Sequence, residues 1–99
     1  MPGFLVSKAA YNDIRDIAAY TQKTWGVGRR RRYLDGLNEK FSILAGMPEM
    51  APERSEFVPP VRISPYEKHL TIYVQQGGAG ILVLRVLHRS MDIDAHLSG

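Results

Sequence analysis

The apolar residues of this 99-residue chain change their period once. Up to residue 46 they recur at helical spacing. From residue 61 they alternate or run on as strands do. Between the two halves stand Pro48, Pro52, Pro59 and Pro60. A run of helices followed by a run of strands argues for an α+β fold, with the helices packed on one face of a sheet.

Gly3-Phe4-Leu5-Val6 reads as a first strand or a buried arm. Ser7 follows as a helix N-cap, its hydroxyl able to accept an unpaired first-turn amide. Ile14, Ile17, Ala18 and Thr21 form an apolar stripe, with Trp25 one turn further, and Gly26 suits a C-terminal cap. A second helix starts near Val27 or Gly28 with the stripe Tyr33, Leu34, Leu37, Phe41, Leu44 and Ala45, and ends at Gly46 and Pro48. With about two residues between them, the helices form an antiparallel hairpin.

Beyond the proline-rich stretch, Val61 to Ser64 is a short strand, Ser64-Pro65-Tyr66-Glu67 reads as a turn, and His69 to Val74 alternates. Gln76 to Gly80 is a hairpin turn before the nearly continuous apolar run Ile81 to Leu87. Met91 to Leu97 reads as a short helical turn. The expectation is one domain over residues 1–99: a helical hairpin at about 8–46, a loop at 47–60, a sheet at about 61–88 and a tail at 89–99. Simple alternation along the last strand puts Leu82, Leu84 and Val86 on one face and Ile81, Val83 and Leu87 on the other. Both faces are apolar, so both need cover. One helical hairpin covers one face well. The other is left to the tail, the 47–60 loop or a partner chain.

Composition narrows the function. Hydrophobic residues at 44% and charged residues at 23% are ordinary for a globular chain. There is no cysteine, which excludes disulfides and cysteine-ligated metal. No signal peptide and no membrane-length apolar run are visible, so a soluble cytoplasmic protein is expected. The formal net charge of +3 favours acidic partners, nucleic acid or protein, without choosing between them.

Motifs with built-in chemistry are absent: no Walker loop, HExxH or CxxC. Gly77-Gly78-Ala79-Gly80 has no following Lys-Ser/Thr and is a hairpin turn. His69, His88 and His96 lack metal-ligand spacing, although His69 and His88 lie at strand ends that can approach. No metal and no cofactor are expected. Arg29-Arg30-Arg31-Arg32 spreads around the start of the second helix, where positive charge is slightly unfavourable. The placement hints at an acidic partner. Arg62, Tyr73, Arg85 and His88 are strand residues, several of which can share a sheet face. Such a set has groups to stabilise phosphate charge and to move protons in RNA cleavage. The bland alternative has Arg85 paired with a carboxylate such as Asp92 or Asp94 and Tyr73 in the core.

The ordered set of motifs resembles one family. Ser7-Lys8-Ala9-Ala10, Asp13-Ile14, Ile17 and Tyr20, closed by Trp25-Gly26, look like the first helix of ParE-type toxins of the RelE/ParE superfamily. Tyr33, Leu37, Phe41 and Leu44-Ala45 before Pro48 match the second. Arg62, His69-Leu70, Ile72-Tyr73, Ile81, Leu84-Arg85-Val86-Leu87-His88-Arg89 and Met91-Asp92 match the sheet and its exit. The resemblance spans nearly the whole chain and implies the strand, helical hairpin and three-stranded antiparallel segment read above. It also implies the bacterial toxin of a type II toxin–antitoxin pair that inhibits DNA gyrase and is neutralised by a ParD-like antitoxin. DNA would be met only through that antitoxin. Arg85, His88, Met91 and Asp92 are then the expected target-binding residues, and Ile81, Val83, Arg30 and Arg31 the expected antitoxin-binding ones. The superfamily's RelE branch instead cuts mRNA on the ribosome, and in that alternative Arg62, Arg85 and His88 carry the catalysis.

Overall fold

Ser7 caps the first helix as its position predicts. In the computed structural model, which describes residues 3–77 and 80–97, its Oγ accepts the Ala10 amide at 3.0 Å at the start of α1 (Lys8–Trp25). The same hydroxyl donates to the Leu84 carbonyl at 2.8 Å. One side chain thus starts the helix and ties it to the far end of the chain.

Gly26 alone separates α1 from α2 (Val27–Gly46), a junction one residue shorter than expected. Its φ of +93° lies where a Cβ is disfavoured, and its amide closes α1 on the Gln22 carbonyl. Ala10, Ile17 and Ala18 of α1 and Leu37, Phe41, Leu44 and Ala45 of α2 are buried. Trp25 is not: it is 64% exposed. As the last residue of α1 it meets the first turn of α2, with the Arg29 guanidinium 5.5 Å over its ring.

Five strands make one sheet in the order β1-β5-β4-β3-β2: β1 (Phe4–Val6), β2 (Glu53–Arg54), β3 (Val61–Tyr66), β4 (His69–Gln75) and β5 (Ile81–His88). β1 runs parallel to β5 and the other neighbours are antiparallel. Two details differ from the sequence reading. The 47–60 stretch contains a 3-10 turn (Pro48–Met50) and the two-residue β2, too short to show any period. The strand at 61 continues through Pro65 to Tyr66, so the turn falls at Glu67, with φ +53°, and Lys68.

A register shift alters which residues of β5 face the helices. Tyr73 pairs with Val83, but Ile72 pairs with Arg85, so β5 carries one extra residue there. Ile81, Val83 and Val86 therefore join the helices, with Tyr73, in the main core, whereas Leu87 joins Val61 and Ile72 on the opposite face. Simple alternation had placed Val86 and Leu87 the other way round. The opposite face is covered by this chain's own segments: Phe57 of the loop, and Ile93 and Leu97 of a short helix α3 (Ile93–Leu97).

At the β4–β5 hairpin, Gly78 and Ala79 lie outside the described residues. Gly80 beside them is buried with φ +85°, and a Cβ there would collide with the Gly3 carbonyl, which accepts the Ile81 amide at 3.1 Å. No helix among the described residues is long and apolar enough to cross a membrane.

Candidate functional site

The end of the helical hairpin where α1 joins α2 and the last rung of the β4–β5 ladder enclose a groove of about 850 Å³. That is within the range of small-molecule sites. α1 contributes Asp16, Tyr20 and Trp25; α2 contributes Arg29, Arg32 and Tyr33; β3 and its turn contribute Tyr66, Glu67 and Lys68. His69 and His88, paired across the strands, complete it with Ser90 and Met91.

The groove's floor is a chain of aromatic rings meeting edge to face. Tyr33 and Tyr66 have centroids 5.1 Å apart, Tyr33 and His69 5.6 Å, and His69 and His88 5.4 Å. Gly36 leaves room for Tyr66 against α2, where a Cβ would strike its hydroxyl. The Tyr66 hydroxyl donates to the Tyr33 carbonyl at 3.3 Å.

Hydrogen bonds engage Nδ1 of both imidazoles. Burial, and then the nearby Tyr66 and Glu67, push the Tyr33 phenol up to about 12. It keeps its proton and shares a hydrogen bond with His69 Nδ1. Burial, then the neighbouring His88, lowers the His69 pKa and favours the neutral ring. The Ser90 amide, which can only donate, reaches His88 Nδ1 at 3.1 Å, and the Ser90 hydroxyl lies 2.8 Å from the same nitrogen. An Nδ1 that accepts the amide leaves the His88 ring proton on Nε2.

The residues singled out in the sequence are scattered differently. The Arg85 guanidinium grips the Asp13 carboxylate in two bonds of 2.7 and 2.9 Å, rather than Asp92 or Asp94. That pair holds the guanidinium pKa above its usual value. Arg62 donates to the Ala51 carbonyl at 2.6 Å, and Tyr73, in the core, donates to the Pro48 carbonyl at 2.8 Å. Arg62, Arg85 and His88 thus have separate partners and do not converge; of the three, His88 alone lines the groove. Met91 is exposed beside it. The Asp92 carboxylate accepts the Asp94 amide at 3.0 Å and caps α3. Ile81 and Val83, expected on an antitoxin-facing surface, are 1% and 0% exposed. They lie beneath the helices with β1 paired alongside, and no partner can reach them there. Arg30 and Arg31 remain on the surface, Arg31 exposed and Arg30 half-buried.

Sequence reasoning missed the site's aromatic members. The four-residue step from Trp25 to Arg29 and the spacing of Arg29, Arg32 and Tyr33 each mark one helix face, a signal that was present. The Tyr33–His69 contact joins residues 36 apart and had none. Among the described residues, no group of three or more His, Cys, Asp or Glu side chains is placed to hold a metal.

Comparison with known proteins agrees with this fold. The family model described as the ParE toxin of type II toxin–antitoxin system, parDE, matches residues 4–93. Toxin ParE of Escherichia coli is 30% identical over 98 residues, covering 99% of this chain and 95% of the relative. Toxin ParE1 of Mycobacterium tuberculosis H37Rv is 32% identical over 94 residues, covering 95% and 96%. A solved structure described as a chromosomal ParDE TA system from P. aeruginosa superposes with a TM-score of 0.72 at 19% identity, covering 89% of this chain and 96% of that one. At that identity the match bears on the fold alone.

Proposed function

The chain belongs to the ParE family of toxins of type II toxin–antitoxin systems, and we propose that it acts by binding DNA gyrase, is neutralised by a ParD-like antitoxin, and performs no chemistry of its own. The observation that carries the non-enzymatic part is the fate of the two guanidiniums. A nuclease of the RelE kind would use Arg62 and Arg85 on a scissile phosphate. Here Arg62 serves the Ala51 carbonyl and Arg85 serves Asp13. Freeing Arg85 for a substrate would leave a largely buried carboxylate without its counter-charge. A protein that works by surface complementarity has no such conflict.

Two features support the antitoxin part. Arg30 and Arg31 have no ion-pair partner among the described residues, and they suit an acidic segment laid across the start of α2. Beside Phe57, Ile93 and Leu97, the half-buried Ile63, Val74 and Leu84 of the same sheet face offer apolar area to a segment that must offset its own ordering cost. Met91, exposed beside His88, is the residue favoured for target contact.

The deciding experiment is supercoiling by purified gyrase with the toxin, with and without antitoxin. Inhibition that the antitoxin reverses is expected. The His88→Ala variant should leave any effect on nucleic acid cleavage unchanged, because none should exist. Ribosome-dependent mRNA cleavage abolished by His88→Ala, with gyrase untouched, would replace this reading by the endoribonuclease one.

A further inference from the structure

The arginine run at residues 29–32 divides. Arg29 and Arg32, three residues apart, share the face of α2 that carries Tyr33 and line the groove; Arg30 and Arg31 do not. Lys68 approaches from the β3–β4 turn. None of the three groove cations has an ion-pair partner among the described residues, although Arg29 and Arg32 stand within the first two turns of α2, where the helix field disfavours positive charge. Such an arrangement is stabilised by an anion that the chain does not supply.

The other lining groups say which kind of anion. The His88 imidazole presents an N–H at Nε2, since its Nδ1 accepts the Ser90 amide, and the His69 ring meets it edge to face. Donors therefore come from three elements: α2, the turn and the β4–β5 ladder. Trp25 and Tyr20 stand on α1 as broad aromatic faces, 64% and 60% exposed, over the same space. Aromatic faces bind bases by stacking, as in single-strand binders. Asp16 and Glu67 also line the groove, and carboxylates in nucleotide sites accept ribose hydroxyls.

We infer that this groove binds a nucleoside di- or triphosphate, its phosphates held by Arg29, Arg32 and Lys68 with the paired histidines, and its base stacked against Trp25 or Tyr20. The volume fits one nucleotide. A polymer is disfavoured by the small net charge of +3, because backbone tracking needs a longer run of cations. The inference is independent of the gyrase reading and stands or falls separately from it.

Trp25 is the chain's single tryptophan and reports on the site directly. Its fluorescence would be followed during titration of the purified protein with ATP and with GTP. Tripolyphosphate, adenosine and a short single-stranded oligonucleotide would be titrated in parallel. A saturable change with a nucleotide is expected, with binding about tenfold weaker in Arg32→Ala and in Lys68→Ala, as loss of a charge-assisted hydrogen bond predicts. Arg31→Ala, on the other side of the helix, should bind as the native protein does. Circular dichroism of each variant separates a lost contact from a lost fold, and because Lys68 and Arg32 lie on different elements one of them suffices. No saturable change into the millimolar range would overturn the inference. Binding of tripolyphosphate as tightly as of the nucleotide, or binding of the oligonucleotide that a nucleotide does not displace, would overturn it as well. So would affinity unchanged in both Arg32→Ala and Lys68→Ala.

Discussion

The carboxylate of Asp13 accepts three hydrogen bonds: two from the Arg85 guanidinium and one, at 3.0 Å, from the Val86 amide. It thereby satisfies backbone where the register shift displaces β5 from regular pairing, and joins α1 to the sheet. Replacing Asp13 with Ala would strand a largely buried cation and an amide together. Urea unfolding of Asp13→Ala should show a loss of about 2–3 kcal/mol, while Asp13→Asn, which still accepts, should lose about half as much. Equal stability of Asp13→Ala and the native chain would mean that the pair is structurally idle. Sequence could not reveal this contact, because Asp13 and Arg85 are 72 residues apart. Asp92 and Asp94 are the carboxylates near Arg85 in sequence, and nothing local points to Asp13. His69 gives a second residue-level prediction. Its folded pKa lies below the usual 6.5, so the unfolded chain holds more protons in the window just below that value. The His69 contribution should therefore be fully present above pH 6.5 and lost as the pH falls through 6.5 towards the folded value. Unfolding measured at pH 7.5 and 5.5 should show a smaller loss of stability in His69→Gln than in the native chain.

At the scale of elements, the helices were legible because their signals are local. Ser7, Gly26 and Gly46 act within one turn of the residue that reads them, and the buried positions of α2 match its stripe. The strands were legible as runs but not as faces. The extra residue in β5 comes from pairing with β4, and nothing in Leu84-Arg85-Val86 announces it. Trp25 was misplaced for a related reason: helical spacing gives a direction but not where the neighbouring element ends. Gly80 tests how the first strand is held. Its φ of +85° suits glycine, and the Gly3 carbonyl occupies the space a Cβ needs. Gly80→Ala must therefore both strain the backbone and push β1 from β5. It should cost about 3 kcal/mol or more. Hydrogen exchange should show the loss at the amides of Ile81 and Ser7, which bond to Gly3 and Val83. Protection unchanged at both amides would show that β1 is held by its side chains instead.

At the scale of the whole molecule, the question left open by the sequence was what covers the second face of the sheet. Much of the answer is the tail: Ile93 and Leu97 of α3 lie with Phe57 over Val61, Ile72 and Leu87. The tail thus has two roles that a truncation would confuse. It shields apolar surface, and through Met91 it borders the groove. Removing residues 91–99 should weaken toxicity at equal expression, but by either route. Point substitutions separate them. Ile93→Ala with Leu97→Ala removes cover from half-buried positions and should cost about 1–2 kcal/mol, which for a domain of this size lowers Tm by about 4–16 °C. Met91→Ala removes an exposed side chain and should leave Tm within a degree or two. If Met91 meets the target, Met91→Ala should weaken gyrase inhibition severalfold at unchanged Tm, while the double variant should keep its inhibition below its melting range. If instead inhibition falls only as Tm falls, the tail acts as a lid on the sheet, and the surface that meets gyrase lies elsewhere.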